Sequence, residues 1–415
     1  NGAGAAVAFG AALFAAAAVR ILAQPVEHGV GAGGTLDVDD AATVEEADRT
    51  LCGHTRTIRR AAHLPIRCPQ NAMTAPTRLA IRADLLDFTA DPGWEVPHDA
   101  SPGLRWRPDH WLLIEGGRIA GVQPAAPDAS WTQRDHRGQL LMPGFIDTHV
   151  HMPQLEVIAS YGTELLHWLE TYTFPSELRY ADPEVCRVGS ARFLDALLAH
   201  GTTAAVVFPT VHKASADALF AAAEERGMRV IAGKCLMDRN APPGLTDTVD
   251  SAERDSEALI ARWHGKGRLA YAHTVRFAPT SSDAQLALAG RLLAAHPGTY
   301  LQTHVAENRD ELNWVAELFP DARSYLDVYA RHGLIGKRSV LAHGVWFDAE
   351  DRAVLGRAGA QIAHSPSSNL FLGSGLCDWR ALEDAGAAVS LASDVGGGRH
   401  GSCRRSRRAA ARAAA

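Results

Sequence analysis

Residues 141–152 read LMPGFIDTHVHM, and the second half of that run decides the fold. Residues 145–151 have the apolar, β-branched character of a strand, and His149 and His151 stand two apart at its end. Side chains alternate along a strand with period two, so both imidazoles face the same side. The same pattern, an apolar run that stops at a side chain able to hold a metal or move a proton, recurs downstream. His304 and Glu307 end YLQTHVAEN (300–308), His343 ends SVLAHGVW (339–346) and Asp394 ends AVSLASDVGGG (388–398). Neutral imidazoles suit zinc, and a carboxylate can complete the shell. A parallel barrel gathers the C-terminal ends of all its strands at one mouth, where side chains from distant segments can meet.

Outward from this run, eight candidate strands follow one another: FIDTHVH, TTAAVVF, RVIAGKCL, AYAHTVRFA, TYLQTHVAE, SVLAHGVW, QIAHSPSS and AVSLASD. Between them lie amphipathic, Ala/Leu-rich stretches such as PEVCRVGSARFLDALLAHG (183–201) and DAQLALAGRLLAAHPG (283–298). Strands alternating with helical patterns mean parallel β/α units, and eight such units close a barrel. The fold class is therefore α/β, a (β/α)8 barrel; an open doubly wound sheet is the alternative. An insertion containing ASYGTELLHWLETYTFP (159–175) stands where the first helix belongs, and long βα loops at a barrel mouth usually shape a pocket. Upstream, residues 73–142 carry short alternating runs broken by Gly, Pro and Asp, with GGRIAGV (116–122) as a hairpin signal. They read as a small β domain, an incomplete sandwich, with the barrel following over 143–398.

The composition narrows the function. Hydrophobic residues make up 47% of 415, enough for a large core, while only 7% are aromatic, so Ala, Leu and Val do most of the filling. A net charge of −6 argues against nucleic acid as partner. The six cysteines, Cys52, Cys68, Cys186, Cys235, Cys377 and Cys403, form no CxxC pair, which fits a reducing cytoplasmic compartment. AAVAFGAALFAAAAV (5–19) is short for a bilayer span and lacks a basic flank, so no membrane partner is expected. The first methionine is Met73, where the sequence changes character. Residues 1–72 are expected to be an N-terminal extension, disordered or upstream read-through, with a native start near Met73; a genuine helical or signal-like extension is the competing reading. The Arg/Ala tract RHGSCRRSRRAAARAAA (399–415) resembles nothing before it and reads as an aberrant tail, leaving the barrel truncated after residue 398.

The six strand-end side chains divide by chemistry. Glu307, three residues beyond His304, is placed to reach a water in the site without ligating the metal, a proton-shuttle position. Asp394 can bind metal and accept a hydrogen bond from that water. His343 serves either as a ligand or as a hydrogen-bonding partner of the attacking oxygen. Each has a bland alternative alone: a strand-end histidine is often structural, Asp394 could be a cap, and Glu307 could be a helix N-terminal charge. The conjunction in strand order is what carries the reading.

At these residues the chain resembles the amidohydrolase superfamily, and within it the guanine deaminases. The resemblance covers about residues 73–398 through PGFIDTHVHMPQ (143–154), LLHWLETYTFPSE (165–177), KCLMDRNAP (234–242), RFAPTSS (276–282), QTHVAEN (302–308), HSPSSNLFLGSG (364–375) and SDVGGG (393–398). It implies one zinc ion per chain on His149, His151, His304 and Asp394, catalysis by Glu307, His343 and Asp394, and purine contacts from Gln154, Arg276 and Phe277. It implies hydrolysis of guanine with water to xanthine and ammonia, in a homodimer. Two-metal relatives use a carboxylated lysine ending the fourth strand; here that strand offers Arg276 and Phe277, and Lys234 belongs to the third, so a single metal is expected. His273 and His364 are read as structural. Family members continue past the triple glycine with a further helix and with strands that complete the small domain. The rival readings are a relative acting on another aminated heterocycle, a triazine or pterin, and an inactive truncated fragment.

Overall fold

The structure, a computed structural model, describes residues 19–21, 77–90, 103–160 and 165–398. The expectations for Met73, for the tail 399–415 and for residues 1–72 other than 19–21 lie outside the described residues.

Five strands form the small sheet: β1 (Val19–Ile21), β2 (Arg78–Phe88), β3 (Leu104–Glu115), β4 (Arg118–Gln123) and β5 (Thr132–Pro143), in the order β1-β5-β2-β3-β4. Strand β1 runs antiparallel to β5, with Val19 opposite Pro143 and Ile21 opposite Leu141. The hairpin between β3 and β4 turns at Gly116 and Gly117, whose φ values of 56° and 75° are those a two-residue type I′ turn requires. On β2, Ile81, Ala83 and Leu85 are buried while Arg82 and Asp84 between them are not, as period-two alternation dictates.

The eight expected strand runs all form strands. They are β6 (Phe145–His151), β7 (Thr202–Phe208), β8 (Arg229–Ala232) continued by β9 (Cys235–Leu236), β10 (Leu269–Val275), β11 (Tyr300–Val305), β12 (Ser339–His343), β13 (Gln361–His364) and β14 (Ala388–Leu391). Neighbours pair in parallel in the order β14-β13-β12-β11-β10-β8-β7-β6, and β9 also pairs with β10. The ring is nearly closed, which excludes the open sheet. Across the seam the Thr148 hydroxyl donates to the Leu391 carbonyl at 3.1 Å and the Asp394 N–H to the His149 carbonyl at 3.0 Å.

The third run is one strand in sequence but two in space. Its break falls at Gly233, where a Cβ would stand 1.9 Å from the Ala272 carbonyl oxygen. The next residue, Lys234, is buried and its ammonium pairs with Asp247. Every residue of β7 and β10 is buried, the signature of parallel strands covered on both faces. Val206, Ile231, Ala270, Ala272 and Tyr300 cluster together on β7, β8, β10 and β11. A larger apolar cluster includes Leu286, Leu292, Tyr329 and Leu355 from the connecting helices.

Those helices are α1 (Pro183–Ala199), α2 (Lys213–Arg226), α3 (Val249–Trp263), α4 (Asp283–Ala295), α5 (Arg309–Leu318), α6 (Tyr325–Arg331), α7 (Ala349–Ala358), α8 (Pro366–Phe371) and α9 (Trp379–Asp384). Their starts follow local chemistry. Asp182 caps α1 by accepting from the Glu184 N–H, with Pro183 as first helical residue, and Ser282 caps α4 by accepting from Gln285 N–H. After β6 a 3-10 turn, Met152–Val157, leads to the insertion, which folds as short helical turns Leu165–Trp168, Leu169–Thr173 and Phe174–Leu178, the middle one π-helical. The Ser176 hydroxyl ties the insertion to the Pro153 carbonyl at 2.7 Å.

Candidate active site

The C-terminal ends of four barrel strands deliver the site. His149 and His151 come from β6, His304 from β11, His343 from β12, and Asp394 follows β14 by three residues. All are buried except His304, which is partly so. Three of the turns leave the strands in a left-handed conformation that side chains other than glycine rarely adopt: Ala306 (φ 50°), His343 (φ 73°) and Asp394 (φ 48°). Strain of this kind persists where the surrounding structure over-determines it, and here it falls on two site residues and on the neighbour of a third.

The donor atoms converge. His151 Nε2 lies 3.2 Å from His149 Nε2 and 3.1 Å from His304 Nε2, and Asp394 Oδ1 lies 3.3 Å from both His149 Nε2 and His151 Nε2. His149, His343 and Asp394 form a second, overlapping group whose ligand atoms lie within 4.8 Å of one another. The tautomer of His304 follows from its other nitrogen, which is 2.5 Å from the Arg276 carbonyl. A carbonyl only accepts, so Nδ1 carries the proton and Nε2 turns a lone pair into the cluster. Burial lowers the proton affinity of His149, His151 and His304, with His151 brought down to about 3. Burial alone would raise Asp394, but hydrogen bonds from His149 and His151 outweigh it and hold the carboxyl well below its ordinary range. One anionic oxygen facing the neutral imidazole nitrogens of His149 and His151, with that of His304 beside them, is a cation site in charge as well as shape.

Glu307 stands beside this cluster. Its Oε2 lies 3.3 Å from His343 Nε2, and its Oε1 accepts from the Asn369 amide at 3.2 Å and the Ser374 hydroxyl at 3.1 Å. Burial, then the nearby Asp394 charge, pushes Glu307 up to about 8. Behind it the Glu311 carboxylate accepts the Glu307 N–H at 2.9 Å and the Tyr325 hydroxyl at 2.8 Å, fixing the backbone of Glu307. The Asp147 carboxylate accepts from the Ser393 N–H at 3.0 Å and from its hydroxyl, so it holds the segment before Asp394 in place.

Beside the cluster lies an open pocket with about 410 Å³ of empty space, part of it open to solvent. Gln154, Arg276 and Phe277 line it together with His151, His304, Glu307, His343 and Asp394. Leu165, Trp168 and Leu169 of the insertion line it too. The structure thus brings all nine sequence-predicted residues to one place, except that His149 sits in the donor cluster rather than the cavity wall. Gly396 (φ 110°) leaves room for Gln154: a Cβ there would come within 2.1 Å of Gln154 Oε1.

Arg276 is not a free cation. Its Nη1 donates to both oxygens of Glu177 at 2.6 and 2.7 Å, with both side chains buried. Burial pulls the guanidinium down, but Glu177 more than compensates and its affinity for the proton ends raised. Sequence reasoning missed Glu177, Asn369, Ser374 and Glu311. Only Glu311 had a local signal, the spacing Asn308-x-x-Glu311 of a helix capping box, which the structure contains. His273 hydrogen-bonds Thr299 at 3.1 Å, and neither it nor His364 lines the cavity.

Against known proteins, residues 140–414 match the amidohydrolase family. The chain belongs to the amidohydrolase family. This amidohydrolase is 45% identical over 328 residues to guanine deaminase from Escherichia coli K12, covering 78% of this chain and 74% of that one. It superposes on the E. coli guanine deaminase structure with a TM-score of 0.77 at 42% identity, covering 81% of this chain and 80% of that one. It is 44% identical to a probable guanine deaminase from Deinococcus radiodurans, over 68% of this chain and 63% of the relative. A guanine deaminase from C. acetobutylicum with guanine bound in its active site superposes with a TM-score of 0.72 at 29% identity, covering 79% of this chain and 76% of that one. The barrel and family expectations are borne out, and this amidohydrolase is an enzyme of the aminohydrolase type. No helix among its described residues is long and apolar enough to cross a membrane.

Proposed function

We propose that this amidohydrolase converts guanine and water to xanthine and ammonia, with one zinc ion per chain held by His149, His151, His304 and Asp394. The observation that carries the reading is the convergence of those four donors beside a pocket that Glu307, Gln154, Arg276 and Phe277 also line. The donor set fits the metal. Tetrahedral bonds of about 2.0–2.1 Å put neighbouring ligand atoms about 3.3–3.4 Å apart, and the four spacings from His151 to His149 and His304 and from Asp394 to His149 and His151, 3.1–3.3 Å, are of that size. Zinc in such a site supplies Lewis acidity and brings the pKa of water to near neutrality.

The protein's own groups do the rest. Glu307, raised to about 8, can take a proton from water and give it back near neutral pH. It delivers that proton to the ring nitrogen beside C2, which makes C2 electrophilic as the water oxygen adds there. His343 and Asp394 flank the added oxygen. A second proton, through Glu307 or Asp394, reaches the 2-amino group, the C2–N bond breaks and ammonia leaves.

Substrate choice follows from charge and donors. The paired Arg276 and Glu177 present little net charge to a neutral purine. The guanidinium, a donor only, suits the O6 carbonyl and disfavours adenine, whose 6-amino group is also a donor. Gln154 reads a purine edge because its amide both donates and accepts, and Phe277 offers an apolar face. A cytoplasmic site and a homodimer belong to the same reading.

The test is turnover of guanine to equimolar xanthine and ammonia, run beside a panel of adenine, pterins and aminotriazines. Faster ammonia release from a triazine or pterin than from guanine would transfer the assignment to that heterocycle. Folded, zinc-loaded protein without turnover would identify an inactive fragment.

A further inference from the structure

Asn369 lies on α8, buried, with its backbone held at both ends. Its N–H donates to the Ser365 carbonyl at 2.9 Å and its carbonyl accepts the Ser374 N–H at 2.8 Å. Its side-chain amide nitrogen stands between two site residues, 3.2 Å from Glu307 Oε1 and 3.0 Å from His343 Nδ1. The orientation of that amide is decided by chemistry. Glu307 Oε1 also accepts the Ser374 hydroxyl, and it accepts whether the carboxyl is ionised or carries its proton on Oε2, so the NH2 end and not the carbonyl end faces it. The same NH2 has two hydrogens, and the second is directed at His343 Nδ1. Nδ1 must therefore be an acceptor, and the proton of the neutral imidazole sits on Nε2. Nε2 is the atom turned to the reaction centre, 3.3 Å from Glu307 Oε2.

We propose that Asn369 is a positioning residue that fixes His343 as its Nε2–H tautomer, making His343 a hydrogen-bond donor in the site and excluding it from the metal's ligand set. An Nε2 that carries a proton has no lone pair to give a cation, so His343 drops out of its group with His149 and Asp394, and the imidazole donors left are His149, His151 and His304. A fixed donor is what an oxygen gaining negative charge at C2 requires, because it is already aimed and need not reorganise. Asn369 thus couples the shuttle to the donor: one amide orients the Glu307 carboxylate and sets which nitrogen of His343 holds the proton. The catalytic part of this inference rests on the deaminase reading above; the tautomer does not.

The experiment is two-bond 1H–15N correlation spectroscopy of the full chain labelled at histidine, metal-free and with zinc added, with His343 assigned against a His343→Asn variant. The expected spectrum shows His343 with a pyrrole-type Nε2 and a pyridine-type Nδ1, unchanged by zinc, while His304 shifts at Nε2 on metal addition. Asn369→Leu, close in size but without the donor, should convert His343 to a mixed or Nδ1–H pattern. It should also lower kcat about 100-fold, the cost of one misdirected donor, with KM little changed and zinc content retained. Ser374→Ala removes a bond to the same Glu307 oxygen without touching His343 and should leave the tautomer as in the parent. A His343 Nδ1–H tautomer in the parent, or zinc-dependent movement of its Nε2, overturns the proposal even if guanine is turned over. An equal change in Ser374→Ala and Asn369→Leu also overturns it, since Asn369 would then be acting only through packing. The predicted tautomer without guanine turnover would leave this assignment standing and sink the deaminase reading instead.

Discussion

Replacing Glu177 with Gln separates what the Arg276 pair does for the fold from what it does for the substrate. Both side chains are buried, and one guanidinium nitrogen meets both carboxylate oxygens at 2.6 and 2.7 Å. Removing one partner of a buried pair leaves an uncompensated charge and costs about 3–5 kcal/mol. Gln keeps one acceptor, which places Glu177→Gln near the lower end of that range. For a domain of this size about 3 kcal/mol corresponds to a fall of roughly 6–12 °C in the unfolding midpoint. The double variant Glu177→Gln with Arg276→Met removes the orphaned charge with a side chain of similar length and should recover most of the loss. Guanine turnover should nevertheless stay abolished in the double variant, because no donor remains for O6. Scanning calorimetry and a coupled ammonia assay on the three proteins read both effects. A midpoint fall of less than about 2–4 °C, or about 1 kcal/mol, in the single variant would refute the buried-pair argument. Guanine turnover surviving in the double variant would refute the role of Arg276 in recognition.

Two other perturbations follow from the same geometry. Glu307→Gln keeps the shape of the shuttle but cannot exchange a proton; kcat should fall about 10²–10⁴-fold with zinc content unchanged, and metal loss in this variant would make Glu307 a ligand instead. Burial brings His273 down from 6.5 to about 3, so between those pH values the unfolded chain holds a proton that the folded chain refuses. Stability should therefore fall as pH drops from 6.5 toward 3, by about 1.4 kcal/mol per pH unit from this one group, and no such loss arises above 6.5; His273→Gln should flatten the acid limb of midpoint against pH, and an unchanged slope would contradict it.

The barrel was legible because a parallel strand buried on both faces must be a short run of apolar, β-branched residues, and four of the eight runs, β6, β11, β12 and β14, led to a candidate metal-binding or catalytic residue. His149 and His151 two apart on β6 needed only strand geometry to be placed on one face. Glu177 and Arg276 lie 99 residues apart, and no periodicity links a carboxylate on a short helical turn with a guanidinium after β10. Asn369 and Ser374 sat in plain view within HSPSSNLFLGSG, yet their role depends on a loop returning to β11 and β12, which only the fold supplies. The break in the third run was hidden because Gly233 reads as a tolerated strand glycine until the Ala272 carbonyl is found against it. The left-handed turns at Ala306, His343 and Asp394 carry no compositional mark at all, since none is a glycine.

The most direct test is metal analysis of the purified chain and of its His304→Asn and Asp394→Asn variants, with guanine turnover measured on the same samples. The account predicts one zinc per parent chain, with both variants losing the metal and turnover together. Full zinc occupancy in either variant, or two metal ions in the parent, would contradict it.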